Sequence, residues 1–185
     1  MDNHVCPWWL CFTFDNPLRR LLHNPEKILR DWIASGQTVI DIGCGMGYFS
    51  LPMARLVGST GHVIAADLQD QMLQQLQRRA VQADLQSRIR LHRCQPETLG
   101  LNEQADFVLT FWMVHEVPNQ STFLQEIRNL LKPNARYLLV EPKIHVSGTD
   151  FQKTVEAAEA VGLKPCAKPN IGISRAVLFS PPAAL

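Results

Sequence analysis

Asp41, Gly43, Gly45 and Gly47 stand together in the run Asp41-Ile42-Gly43-Cys44-Gly45-Met46-Gly47, and their types and spacing are those of a ligand loop. Glycine lets the backbone turn sharply and approach a bound molecule closely. The dinucleotide fingerprint is Gly-x-Gly-x-x-Gly, which sets a pyrophosphate on a helix N-terminus. Here the spacing is Gly-x-Gly-x-Gly, and Tyr48 stands where the third glycine would fall.

Asp41 argues in the same direction. A carboxylate beside a pyrophosphate suffers like-charge repulsion, whereas beside a cation it is favourable. S-Adenosylmethionine (SAM) carries a sulfonium and an α-ammonium and has no phosphate, so an acidic glycine loop suits SAM better than NAD. Asp67 follows Gly47 by 20 residues. A carboxylate there can accept hydrogen bonds from both ribose hydroxyls. That position serves ribose in both cofactor classes, so Asp67 supports a nucleoside without choosing between them. A tight strand-to-helix turn would account for the glycines alone, but not for Asp41 and Asp67 in register with them.

His115 is the candidate catalytic group, because its range of protonation suits proton transfer near neutral pH. Its alternative role is to order its loop or cap the following helix. Glu116 is expected to be solvated or structural. Glu141 has two open roles, contact with substrate or a hydrogen bond to a nearby backbone amide. Trp8, Trp9 and Phe12, with Phe14, either line an apolar acceptor pocket as a lid or pack as an N-terminal helix or dimer contact. His4, Cys6 and Cys11 lack the spacing of a metal clasp, and no second cysteine pair follows, so no metal is expected. Cys94 and Cys166 are expected to be buried as small apolar residues.

The elements that position these groups alternate. Asn24-Pro25 reads as a helix start, with Ile28, Leu29, Trp32 and Ile33 as its apolar stripe and Gly36 as its stop. Strands are expected at 38–42, 62–66, 89–94, 106–111 and 136–140. Helices are expected at 48–57, 71–83, 121–131 and 151–161. A closing pair of strands is expected at 163–168 and 174–179. Helices of this length between strands imply parallel pairing. The expected fold is therefore α/β: a Rossmann-like, doubly wound, mostly parallel sheet in three αβα layers, with an antiparallel C-terminal edge hairpin. In such a sheet, ligands bind beyond the carboxyl ends of the strands, where the glycine loop falls.

Composition narrows the function classes. The 185 residues amount to about one domain, read as an N-terminal segment over 1–24 and a domain over 25–185. Eighteen basic residues against 17 acidic give a net charge of +1, without the basic excess of a nucleic-acid binder. The apolar run 5–14 is too short for a membrane span and lacks the basic flank of a signal peptide. Five irregularly spaced cysteines do not form a disulfide framework and suggest a reducing, cytoplasmic setting.

Over roughly residues 25 to 180 the chain resembles the class I SAM-dependent methyltransferases, in particular the small domains of the ubiquinone/menaquinone-biosynthesis type. The first motif is Val39-Ile40-Asp41-Ile42-Gly43-Cys44-Gly45-Met46-Gly47-Tyr48, and the second is Val63-Ile64-Ala65-Ala66-Asp67. Asp106-Phe107-Val108-Leu109 with His115-Glu116-Val117-Pro118, and later Leu130-Leu131-Lys132-Pro133-Asn134, match the fourth-strand region and the approach to the fifth strand. The resemblance implies a SAM site with Asp67 on the ribose and Leu68 beside the adenine. It implies further cofactor contacts at Cys44, Gln95, Pro96, Thr110 and Phe111. The family's Gly-Asp-Ala-Glu after the third strand is here Cys94-Gln95-Pro96-Glu97, which puts a neutral, weaker acceptor at Gln95. Phe111-Trp112-Met113-Val114 replaces the Asn/Asp-Pro-Pro-Tyr motif of enzymes that methylate nucleobase amino groups.

Together these readings lead to methyl transfer from SAM to a small-molecule acceptor, leaving S-adenosylhomocysteine. A non-catalytic SAM-binding sensor or subunit is the alternative. A nicotinamide-dependent oxidoreductase is disfavoured by Asp41 and Tyr48.

Overall fold

The computed structural model describes residues 23–182. Trp8, Trp9, Phe12 and Phe14, and with them the proposed lid, lie outside the described residues.

The first helix, α1 (Pro25–Leu29), starts as the sequence predicts. The Asn24 side chain accepts from the Lys27 amide, and proline occupies the first turn, where a missing N–H costs nothing. It is shorter than predicted. The amides of Trp32 and Ile33 both return to the Leu29 carbonyl, and the helix tapers into a turn. Leu29 and Ile33 are nevertheless buried, so the apolar stripe does its packing from a shorter element.

Seven strands form one sheet in the order β3-β2-β1-β4-β5-β7-β6. They are β1 (Thr38–Ile42), β2 (His62–Asp67), β3 (Ile89–Arg93), β4 (Ala105–Phe111), β5 (Leu131–Pro142), β6 (Lys164–Ala167) and β7 (Ser174–Ser180). Strands β1 to β5 pair in parallel, and β7 runs antiparallel to both β5 and β6. The connecting helices are α2 (Ser50–Leu56), α3 (Asp70–Gln82), α4 (Gln120–Leu130) and α5 (Gly148–Ala160). Two buried apolar layers cover the faces of the sheet. Leu76 of α3 and Met53 of α2 belong to one, and Leu124 and Ile127 of α4 belong to the other. The three-layer, doubly wound architecture is therefore as expected. Among the described residues no helix is long and apolar enough to cross a membrane.

The closing strands form the expected antiparallel edge hairpin, with β7 between β5 and β6 and β6 outermost. Two details depart from the sequence reading. Strand β5 begins at Leu131, straight from α4, because a register shift between Ala105 and Phe107 on β4 accommodates Pro133 and Asn134. Cys166 is exposed, not buried, since it sits on the outer strand β6, while Cys94 is buried as expected.

Candidate active site

The chain runs from β1 outward to β3 and then crosses back to β4, so the winding reverses between β1 and β4. The crevice above such a reversal is where open α/β sheets bind ligands. The glycine loop leaves β1 at that point. Gly43, Gly45 and Gly47 all have positive φ, at 70°, 53° and 86°. Each therefore adopts the left-handed backbone that L-residues resist. Their surroundings differ. A Cβ on Gly43 would lie 2.8 Å from Met113 Cγ, and one on Gly47 would overlap Leu76 Cδ1. A Cβ on Gly45 would meet nothing within 4 Å, which leaves open space above the middle of the loop.

The loop amides are already engaged. Gly43 and Cys44 both donate to the Ala66 carbonyl (2.8 and 3.1 Å), and Gly47 donates to the Cys44 carbonyl (3.0 Å). Gly45 donates to Asp67 Oδ2 (2.9 Å). A phosphate-binding loop aims free N–H groups at its ligand. This loop turns four of them into the protein and puts carboxylates beside them.

Asp67 ends β2 partly buried. Its Oδ1 accepts from the Gln69 amide (2.9 Å) while Oδ2 holds Gly45, so the carboxylate is fixed with lone pairs to spare. Burial pushes its pKa up, and the backbone amides of Gln69, Gly45 and Leu68 oppose that shift. Leu68, 36% exposed, offers an apolar face beside it. Asp41 is buried, and its Oδ2 accepts from the Ser50 hydroxyl at the start of α2. Cys44 is also buried, and burial together with Asp67 and Asp41 keeps its thiol protonated. Cys94 is pushed up to about 12, first by burial. Neither thiol has the depressed pKa of a nucleophile.

Gln95 and Pro96 follow β3 on the same rim and are exposed. Gln95 forms a tight backbone turn with Thr98. Thr110 is buried and shares a 2.8 Å hydrogen bond with the Tyr137 hydroxyl, so its side chain faces the core. Phe111 packs in an aromatic cluster with Phe49 (4.3 Å), His23 (5.2 Å) and Trp112 (5.6 Å between centroids).

After β4 the backbone turns at Trp112, whose φ of 63° is rare for a bulky residue. The strain is held by its amide on the Val140 carbonyl (2.8 Å) and its indole N–H on the Ser174 hydroxyl (2.9 Å). The turn lays Met113 over Gly43 and leads into a short 3₁₀ segment, Val114–Glu116. Glu141, buried at the end of β5, accepts the Val114 amide on Oε1 (2.8 Å). Its Oε2 meets His115 Nδ1 at 2.5 Å. Of its two open roles, Glu141 thus fills the backbone one and also holds His115. The hydrogen bond that Glu141 accepts raises the His115 pKa. Burial opposes it, and the charges of Glu141 and Glu116 reinforce it.

The structure thus brings Asp41, the three glycines, Asp67 and Leu68 to one crevice, with His115 and Glu141 on its neighbouring wall. Sequence reasoning missed Ser50, which holds Asp41, and Trp112, which shapes the turn. It also missed His145, whose ring stacks on His115 with centroids 6.4 Å apart and planes 7° from parallel. Trp112 carried a faint signal as the residue just beyond a buried strand, and Ser50 and His145 carried none.

Comparison with known proteins agrees with this geometry. A family model described as a methyltransferase domain matches residues 33–171. The chain is 27% identical over 109 residues to the demethylmenaquinone methyltransferase of Oceanobacillus iheyensis, covering 59% of this chain and 46% of that protein. It is 30% identical over 110 residues to the ubiquinone/menaquinone biosynthesis C-methyltransferase of Cellvibrio japonicus, covering 59% and 44%. The chain thus spans about half the length of the curated relatives it matches. Its fold is that of a solved SAM-dependent methyltransferase from Aquifex aeolicus, at TM-score 0.85, 22% identity and coverage of 95% and 98%. A structure described as a putative SAM-dependent methyltransferase from Methanococcus maripaludis gives TM-score 0.81, 16% identity and coverage of 100% and 99%. The glycine loop, the sheet order and the family match over three quarters of its length converge: the chain belongs to the methyltransferase-domain family.

Proposed function

We propose that the protein transfers the methyl group of SAM to a small-molecule acceptor. The observation that carries the cofactor part is the engagement of the loop amides. With Gly43, Cys44, Gly45 and Gly47 all donating inward and Asp41 and Asp67 alongside, the crevice suits a cationic nucleoside without phosphate. The residues fit SAM in a second respect, since the space above Gly45 leaves room for a ligand against the backbone. Asp67 would hold the ribose hydroxyls, Leu68 would flank the adenine, and Gln95 and Pro96 would line its edge. Asp41, acting through its charge and through Ser50, favours the positive end. Thr110 and Phe111, with packed side chains, would contribute backbone.

When bound, SAM supplies an activated methyl group with a neutral leaving group. The protein's own work is then alignment and exclusion of water. The relatives named for quinone biosynthesis support a small-molecule acceptor, as does the absence of a basic excess. Trp8, Trp9 and Phe12 remain our candidates for covering that acceptor. The free thiols Cys44, Cys94 and Cys166 support a reducing, cytoplasmic setting.

Release of S-adenosylhomocysteine from SAM and 1,4-dihydroxynaphthalene, an aromatic diol used as probe, tests the reading. Turnover supports it. SAM binding without turnover of this or other small acceptors would favour a non-catalytic SAM-binding module.

A further inference from the structure

His115 is held in a way that its loop alone does not require. A histidine that merely closed the turn would need one hydrogen bond to backbone. Here the turn is already closed by Glu141 Oε1 on the Val114 amide and by the Gln120 side-chain amide on the Val114 carbonyl (3.1 Å). The second oxygen of the same buried carboxylate is aimed at His115 Nδ1. An ionised carboxylate only accepts, so Nδ1 carries the hydrogen and Nε2 is left with its lone pair. Nε2 lies 4.0 Å from Glu116 Oε1, beyond hydrogen-bond reach, and the His115 side chain is 28% exposed. The same turn places Met113 on Gly43, two residues before His115, so the turn that carries the imidazole also touches the loop that would hold the methyl donor.

We propose that His115 is the proton acceptor of the transfer and that Glu141 is its positioning residue, which rests on the methyl-transfer reading above. The acceptor's electron pair forms the bond to the methyl carbon while the former carbon–sulfur pair stays on sulfur. His115 Nε2 takes the proton that the acceptor loses and becomes an imidazolium. That charge is met by Glu141 at Nδ1 and by Glu116 nearby, and is opposed by the stacked His145 ring when His145 is itself protonated. The acceptor class that needs such a base is one whose nucleophile bears a weakly acidic proton at neutral pH. One already ionised, or without a proton, has no use for it.

The test compares wild type, His115→Gln and Glu141→Gln. In the ligand-free proteins, ¹⁵N NMR of the imidazoles reads the tautomer. Wild type should show Nδ1–H on His115. Glu141→Gln, which presents an amide N–H₂ in place of a carboxylate oxygen, should move the hydrogen to Nε2 and remove the lone pair that the reaction needs. With SAM and 1,4-dihydroxynaphthalene, both variants should lose about 10²- to 10⁴-fold in kcat, the range of general-base catalysis, with KM and SAM affinity little changed. Wild-type kcat should rise with pH along a limb lying above the ordinary histidine value, and His115→Gln should abolish that limb. His115→Gln, at a side chain that reaches solvent, keeps the test valid if Glu141→Gln fails to fold. An Nε2–H tautomer in wild type, a His115→Gln kcat close to wild type, or SAM binding without turnover of this proton-bearing probe overturns the assignment. Failure of wild type to bind SAM at all defeats the methyl-transfer reading instead.

Discussion

Two glycines two residues apart in the same loop should respond differently to one added methyl group. Gly45 and Gly47 share a left-handed backbone, at φ 53° and 86°. Alanine at either costs about 1–2 kcal/mol for forcing an L-residue into that region. At Gly45 nothing else is met, since the position of the new Cβ is clear of protein to 4 Å. At Gly47 the new Cβ overlaps the side chain of Leu76, which is fully buried in α3 and cannot swing into solvent. Overpacking of that kind adds about 1–3 kcal/mol. In a domain of this size each kcal/mol lowers Tm by about 2–4 °C, so Gly45→Ala should lose roughly 2–8 °C and Gly47→Ala roughly 4–20 °C. Binding should follow the opposite order. The methyl at Gly45 intrudes on the space assigned to the cofactor, and SAM affinity should fall by about tenfold or more, a cost of at least about 1.4 kcal/mol. Thermal unfolding and calorimetry on the two variants read both effects. A Gly45→Ala protein that binds SAM as wild type does would refute the placement of the ligand over Gly45. A Gly47→Ala protein as stable as Gly45→Ala would refute the packing argument.

Asp67→Asn keeps the shape of the side chain but loses the charge that holds Gly45 and Gln69 and that, on the proposed reading, would hold the ribose hydroxyls. Hydrogen bonds to a charged group contribute about 1.5–3 kcal/mol, so calorimetry should show SAM binding about ten- to a hundredfold weaker. Thr110→Val should destabilise by about 1–3 kcal/mol in urea unfolding, because it strands the buried Tyr137 hydroxyl, whereas the Thr110→Val, Tyr137→Phe double variant should recover most of that loss. Glu141 raises the folded-state pKa of His115 above the ordinary 6.5, so the stability this pair contributes is full below that value and is lost as pH rises through the raised one. Urea midpoints measured from about pH 5.5 to 9 should decline over that window in wild type, and His115→Gln should remove that part of the slope.

The parts of the fold written in local chemistry were legible. The Asn24 cap, the glycine loop and the alternation of β1 to β5 with helices each rest on residues close in sequence. The docking of β7 was not read, although its cause is visible in hindsight. Ala176, Val177, Leu178 and Phe179 are four consecutive buried residues, the pattern of a strand covered on both faces, while β6 is short, exposed and carries Pro165. A strand without alternation belongs inside a sheet and one with proline at its rim, so the two could have been ordered. The same contrast explains Cys166, which lies on the rim strand. That Asp41, Asp67 and the glycines lie together was legible because one loop and one strand end hold them. The pairing of His115 with Glu141 was not, because it depends on the left-handed turn at Trp112 and on β4 and β5 lying side by side with Phe111 opposite Val140. Those relations are tertiary, and residues 26 apart carry no spacing rule that announces them.

Calorimetry of the wild-type protein with SAM, S-adenosylhomocysteine and NAD bears most directly on the nature of the site. The inward-turned amides of the loop and the carboxylates of Asp41 and Asp67 near it predict micromolar binding of both adenosyl ligands and none of NAD. Binding of NAD without SAM, or of neither ligand by the folded protein, would contradict the assignment of the glycine loop.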